Sequence, residues 1–270
     1  MNQLSDERLL DTTQPSIART YDAILGGKDN YEADRAVVRE LVKAVPTAPM
    51  IAKENRAWLV RAVRWMATAG IDQFLDCGAG LPTMENTHDV VKRVNPDATV
   101  LYVDNDPACQ VYGRALLENT ETKTFLIDAD LTEVDALFEH HAVARHLDLS
   151  RPVALIHCGV LHHVPDAGDP WGIVARYRER LPSGSALALT HFHAPEDERL
   201  HRVAKDLEMA MANLGSGWFR SREEIQAFFG DWEMVPPGLV YLHEWWPTGP
   251  RVTGTGDADY LILGGVARKP

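Results

Sequence analysis

From Gln73 onward the chain alternates short β-rich runs with helical ones, and this alternation constrains the fold more than any other feature. It predicts parallel strands joined by helical crossovers, because a parallel pair needs a connection long enough to return to the same edge. The predicted strands are Gln73 to Cys77, Thr99 to Asp104, Lys123 to Ile127, Val153 to Cys158 and Ala186 to His191, with two late strands near Leu239 to His243 and Tyr260 to Gly264. Helices fall between them near Thr87 to Val94, Pro107 to Leu117, Glu133 to Phe138 and Pro170 to Leu181, then from Pro195 to about Leu214 and from Ser221 to Phe229. The reading is an α/β fold with a doubly wound, mainly parallel, seven-stranded sheet.

Ahead of it lies a helical extension. Ile17, Tyr21, Ile24 and Leu25 recur at helical spacing before the turn Gly26-Gly27-Lys28-Asp29-Asn30. A second helix is predicted from about Tyr31 to Val45, where Pro46 and Pro49 break the pattern. A third amphipathic stretch carries Ile51, Trp58, Leu59, Val63 and Met66 and ends near Gly70, a helix C-cap. The chain thus divides at about residue 70 into a helical segment, residues 1–70, and an α/β domain, residues 71–270.

Its 270 residues can hold one such domain and its extension, and 45% apolar with 24% charged residues is the composition of a globular protein. Asp and Glu outnumber Lys and Arg by 39 to 27, a net charge of −12 that would repel a polyanion, so nucleic acid is a disfavoured partner. Charges interrupt every apolar run before the roughly 20 residues a membrane span requires. The polar start from Met1 to Arg8 does not read as a signal peptide, so a cytoplasmic protein with no membrane partner is expected. Cys77, Cys109 and Cys158 are too few and too scattered for a disulfide framework.

Ligands of open parallel sheets collect beyond the carboxyl ends of the strands, where strand order reverses. Acidic residues stand at such ends. Asp76 closes the first strand before Cys77-Gly78-Ala79-Gly80, whose glycines let a ligand approach the backbone. Asp104 closes the second strand 24 positions after Gly80, where a carboxylate that accepts from two ribose hydroxyls is expected. In the string Asp104-Asn105-Asp106-Pro107, Asp106 reads as the helix N-cap, which leaves Asp104 free of capping. Asp130 follows the third strand and can accept from an adenine amine.

The loop after Gly80 selects the cofactor. A dinucleotide site needs a third glycine and an immediate helix N-terminus for its pyrophosphate. Here the run continues Gly80-Leu81-Pro82-Thr83, and the next helix waits until about Thr87. S-adenosyl-L-methionine carries no phosphate and tolerates such a loop.

At these residues the sequence resembles the class I, Rossmann-like S-adenosylmethionine-dependent methyltransferases, over about three quarters of the chain from Phe74 onward. More narrowly, Pro15-Ser16-Ile17-Ala18-Arg19 with Tyr21-Asp22, Leu25-Gly26-Gly27-Lys28-Asp29-Asn30 and Gly80-Leu81-Pro82-Thr83 is similar to an actinobacterial family of S-adenosyl methyltransferases once known as a domain of unknown function. The resemblance implies that Gly78, Ala79 and Gly80 lie along the methionine part. It places Asp104, beside Asn105, on the ribose, and Asp130 with Leu131 at the adenine. The string Val160-Leu161-His162-His163-Val164 also matches a frequent methyltransferase segment.

Methyl transfer is an in-line displacement, so the protein must align acceptor and methyl group and exclude water. His157, His162, His163, His191 and His193 lie near strand ends where one can serve as base, with His162 the first choice for a catalytic role and His157 placed at the cofactor. The histidine pairs lack a third ligand at a recognisable spacing, so no metal is expected. Residues 1–70 are read as a lid, with Tyr21 near the sulfonium and Lys28 near the methionine carboxylate. Trp218, Phe219, Trp232, Trp245 and Trp246 mark the part of the chain where an acceptor pocket is expected, lined by rings or filled by core packing. The functional expectation is a methyltransferase acting on a small molecule, against a cofactor-binding module without turnover and a nicotinamide oxidoreductase.

Overall fold

A computed structural model describes residues 10–82, 85–116, 121–249 and 254–270. Met1 to Arg8, Thr83 and Leu117, which figure in the sequence reading, lie outside them. Three helices come first: α1 (Ile17–Leu25), α2 (Glu32–Ala44) and α3 (Ala48–Thr68). Pro49 lies inside the first turn of α3 rather than before it, where its missing N–H costs nothing.

The sheet follows as β1 (Gln73–Cys77), α4 (Thr87–Lys92), β2 (Thr99–Asp104), α5 (Pro107–Leu116), β3 (Thr124–Asp128), α6 (Val134–Glu139), α7 (His141–His146), β4 (Ala154–Cys158), α8 (Pro170–Arg180) and β5 (Ala186–Phe192). After these come α9 (Glu198–Ala210), α10 (Arg222–Ala227), β6 (Glu233–Met234), β7 (Val240–Tyr241) and β8 (Ile262–Arg268). Strands run in the order β3-β2-β1-β4-β5-β8-β6, with β7 also on β8. β1 to β5 are mutually parallel, and β8 is antiparallel to its neighbours. The sheet is Rossmann-like and doubly wound, but it has eight strands among the described residues where seven were predicted.

The differences sit at its antiparallel edge. The two-residue β6 carries too little pattern to be read, and the run Leu239 to His243 keeps only two strand residues before a 3-10 turn at Leu242–Glu244. β8 begins after a 3-10 turn at Asp257–Tyr260 and continues through Gly264 and Gly265 to Arg268. Those glycines looked like the end of a strand and instead mark crowding. A Cβ on Gly264 would stand 2.6 Å from Leu242 Cδ2 and 2.9 Å from Trp58 Cε2.

Side chains of successive strand residues enter cores on opposite faces. Phe74, Val100, Tyr102, Ile156 and Ala188 pack with α2, α3 and α9, while Leu75, Leu101, Val103, Leu155 and Leu187 pack with α6, α7, α8 and α10. Burial on both faces explains why the strands read as unbroken apolar runs. Strand order reverses between β1 and β4, so the carboxyl ends of these two strands open a crevice, and α1 and α3 close it from above. No helix among the described residues is long and apolar enough to cross a membrane.

Candidate active site

The crevice holds a cavity of about 630 Å³, reached by the loops after β1, β2, β3 and β4 and by Phe192 at the end of β5, and roofed by α1, α2, α3 and α9. Asp76, Gly78, Ala79, Gly80, Asp104, Asn105, Asp130, Leu131, Tyr21 and His162 all line it. Lys28 and His157 do not.

The loop after β1 turns on two glycines in the left-handed region, Gly78 at φ +74° and Gly80 at φ +69°. Gly78 has a second requirement, since a Cβ there would meet Val160 Cγ2 at 2.6 Å, whereas beside Gly80 the space is open. Asp76 is buried and takes the Thr87 hydroxyl at 2.6 Å. Burial raises its carboxyl to about pH 6, an effect that the Thr87 hydrogen bond and the Arg56 charge oppose.

Asp104 joins two of the loops. One oxygen accepts the Gly80 N–H at 2.8 Å and the other accepts the Asp106 N–H at 2.9 Å. Asp106 is the cap of α5, accepting from Ala108 N at 2.7 Å, as its position before Pro107 predicted. Asp104 is nevertheless not free of backbone duty; it fixes the loop that surrounds it and is also hydrogen-bonded by the Cys109 thiol. Burial raises its pKa, and the two backbone N–H groups work against that shift. Asn105 Nδ2 donates to Asp130 at 3.3 Å, and Asp130 uses its other oxygen for the Thr132 N–H and hydroxyl at 2.8 and 2.7 Å.

Across the cavity, Tyr21 donates its hydroxyl to the Ala52 carbonyl at 3.1 Å and receives Asn55 Nδ2 at 3.3 Å. Burial pushes the phenol up to about 12. Asn55 also takes the Thr190 hydroxyl at 2.7 Å, and Thr190 in turn accepts the Gly159 N–H at 2.8 Å, so one amide ties α1, α3, β5 and the loop after β4 together. Arg56, on the next position of α3, donates to the Glu85 carbonyl and leaves its Nε buried without a partner. Neither Asn55 nor Arg56 was anticipated. Asn55 had a legible signal, because it interrupts the apolar stripe Ile51, Ala52, Trp58, Leu59 and Ala62, and a polar group there needs partners.

His162 stacks on Phe192 at 3.6 Å, and its Nδ1 is buried without a partner. Burial holds its pKa well below the usual imidazole range, with His163, His191 and Arg220 adding to the effect. His163 bonds Ser216 Oγ at 2.8 Å and is lowered by burial to about 4. His191 is fully committed, Nδ1 donating to the Phe192 carbonyl at 2.7 Å and Nε2 receiving Arg220 at 2.6 Å. No three His, Cys, Asp or Glu side chains among the described residues gather as a metal-holding group.

The two displaced predictions have physical reasons. His157 is the fourth residue of β4 and points into the opposite core, its ring 5.0 Å from that of Tyr177. Lys28 is exposed on the α1–α2 turn, outside the cavity wall. The other residues of that turn hold it together. Gly26 ends α1 at φ +82°, and Asp22 accepts Asp29 N at 3.0 Å and Asn30 Nδ2 at 2.8 Å. Asp34, wholly buried, accepts Arg19 Nε at 3.0 Å, Ser16 N at 3.0 Å and Tyr31 N at 2.8 Å.

The late aromatic residues belong to the interior or to the surface, not to the cavity. Trp245 packs edge-on to Trp58 at 5.7 Å, Trp246 is exposed, and among Trp218, Phe219, Trp232, Trp245 and Trp246 none lines the cavity.

Comparison with known proteins matches residues 3–270 to the S-adenosyl methyltransferase family. A crystal structure of a candidate methyltransferase from Thermobifida fusca YX shares 43% identity, covers 96% of each chain and superposes with TM-score 0.88. A protein of the DUF574 family from Streptomyces avermitilis MA-4680 shares 38% identity over 96% of this chain and 99% of its own, with TM-score 0.89. Human N-acetylserotonin methyltransferase, solved with S-adenosylmethionine, shares only the fold, at 12% identity over 95% of this chain and 63% of its own, with TM-score 0.50. The search of curated proteins finds no match. With the sheet order, the cavity at the β1/β4 reversal and a family match over nearly the whole length in agreement, the chain belongs to the S-adenosyl methyltransferase family and is an S-adenosylmethionine-dependent methyltransferase.

Proposed function

We propose that the protein methylates a small molecule enclosed in the cavity between the α/β domain and residues 1–70, which act as a lid over the cofactor. The observation that carries this reading is the division of the cavity wall: acidic groups stand at the ends of β1, β2 and β3, while the remainder is mostly apolar and covered by α1, α2, α3 and α9.

The wall suits the cofactor. Open space beside Gly80 admits its methionyl part, and Arg56, with a buried unpartnered Nε, can meet a carboxylate. Asp104, a carboxylate on the cavity wall, can accept from the ribose hydroxyls, and Asp130, with Leu131, borders the adenine. When bound, S-adenosylmethionine supplies an electrophilic methyl group on a positively charged sulfur.

The chain's contribution is alignment and exclusion of water. Tyr21 and Asn55 hold α1 against the loop after β4, so the roof and the floor of the cavity are one hydrogen-bonded unit. His162 stays neutral at physiological pH and offers one donor and one acceptor nitrogen. Its weak basicity suits it to orient the acceptor through a hydrogen bond rather than to remove a proton beforehand.

The test uses cofactor with a labelled methyl group and a cell extract separated into dialysable and macromolecular fractions. Label is expected in a dialysable product. Label confined to protein or nucleic acid would overturn the reading.

A further inference from the structure

The wall of the cavity away from the strand ends carries information about the molecule that sits there. Ile24 of α1, Leu41 of α2, Ile51 of α3, Leu207 of α9, and Met211 and Leu214 just beyond it surround that part. The carboxylates of the wall, Asp76, Asp104, Asp106 and Asp130, lie at or just after the ends of β1, β2 and β3, with Arg56 as the cation of the lining. A charged group placed among the aliphatic side chains would lose its hydration without gaining a counter-ion. Of the Phe and Tyr rings of the lining, Phe192 is already stacked on His162 at 3.6 Å and on Phe219 at 4.9 Å, and Tyr21 is tied by its hydroxyl to Ala52 and Asn55, so the aliphatic side chains make up most of the apolar surface there. Besides Arg56 Nε near the strand ends, two buried polar atoms on the wall lack partners, Thr20 Oγ1 and His162 Nδ1, in residues only 2% and 3% exposed.

We propose that the acceptor is an uncharged molecule with an aliphatic body and a hydroxyl or similar hydrogen-bonding group, its body lying among Ile24, Leu41, Ile51, Leu207 and Met211 and its polar group meeting Thr20 and His162. The inference rests on the reading of the chain as a small-molecule methyltransferase and narrows its substrate class. It replaces the aromatic pocket that the late tryptophans pointed to with an aliphatic one.

Calorimetric titration of the full chain saturated with S-adenosylhomocysteine tests it, using decanol, decanoate and naphthol as probes. Decanol is expected to bind at least about tenfold more tightly than decanoate or naphthol. Met211→Trp, which fills the aliphatic part, should weaken decanol by at least about tenfold and leave affinity for S-adenosylhomocysteine within about twofold. Ile51→Ala, which enlarges it, should shift the preference toward longer alcohols, and this arm decides the matter if the tryptophan variant fails to fold. Tighter binding of decanoate or naphthol, no decanol binding, or an unchanged chain-length preference in Ile51→Ala would overturn the proposal. Failure of the wild-type chain to bind S-adenosylhomocysteine would instead overturn the underlying cofactor assignment.

Discussion

Among single residues, burial decides what a titratable side chain does. His157 is fully enclosed, neither ring nitrogen has a hydrogen-bond partner, and burial lowers its pKa to about 3. Its folded pKa lies below the unfolded value of 6.5, so the unfolded chain binds the extra proton first, and stability is lost as pH falls from about 6.5 toward about 3. His157→Leu removes this penalty and two unsatisfied nitrogens. Chemical denaturation should find the variant no less stable at neutral pH and about 2–3 kcal/mol more stable relative to wild type near pH 4.5. The acidic part of the cavity wall was legible because Asp76 and Asp104 lie at the ends of β1 and β2 and Asp130 just beyond β3, and strand ends can be placed from pattern alone. His157 was misplaced because one position along a strand turns a side chain to the other face. Arg56 carried no signal, since its role comes from where α3 crosses the sheet.

Between elements, the turn joining α1 and α2 determines how α1 sits on the cavity. In the turn Gly26-Gly27-Lys28-Asp29-Asn30 the sequence points to a lysine at the methionine carboxylate, whereas the unusual composition of the turn is explained by local folding. A Cβ on Gly27 would stand 1.9 Å from Asp22 Oδ1. Gly27→Ala should therefore displace the Asp22 carboxylate from Asp29 and Asn30, cost about 1–3 kcal/mol in thermal or denaturant unfolding, and weaken cofactor binding. Lys28→Ala, at an exposed position outside the wall, should leave that affinity unchanged in the same titration. Strands that are unbroken apolar runs were readable almost to the residue, as in Gln73–Cys77 and Thr99–Asp104. α7 was missed because His140 alone separates it from α6, so no turn signal marks its start, and β8 was cut short at Gly264, which is there to admit Trp58 and Leu242.

In the whole molecule, sheet order brings the pieces together. Chain order β1-β2-β3 builds one half of the sheet and β4-β5 the other, so the strand ends and loops carrying Gly80, Asp104 and Asp130 face those carrying His162 and Phe192 across one crevice. α1 and α3 then bridge the halves through the Tyr21, Asn55 and Thr190 network. The alternation of strands and helices was enough to predict the architecture. The aliphatic character of the acceptor side was not, because it is assembled from Leu41, Ile51 and Leu207 on three separate helices whose facing depends on tertiary packing.

The central claim is that this crevice binds S-adenosylmethionine through Asp104. Calorimetric titration with S-adenosylhomocysteine and, side by side, NAD tests it on the wild type and on Asp104→Ala, with circular dichroism confirming that the variant is folded. The account predicts that the wild type binds S-adenosylhomocysteine and not NAD, and that Asp104→Ala loses roughly 100-fold in affinity, the scale for a charged acceptor paired with two hydroxyls. Unchanged affinity in a folded Asp104→Ala, or tighter binding of NAD, would contradict it.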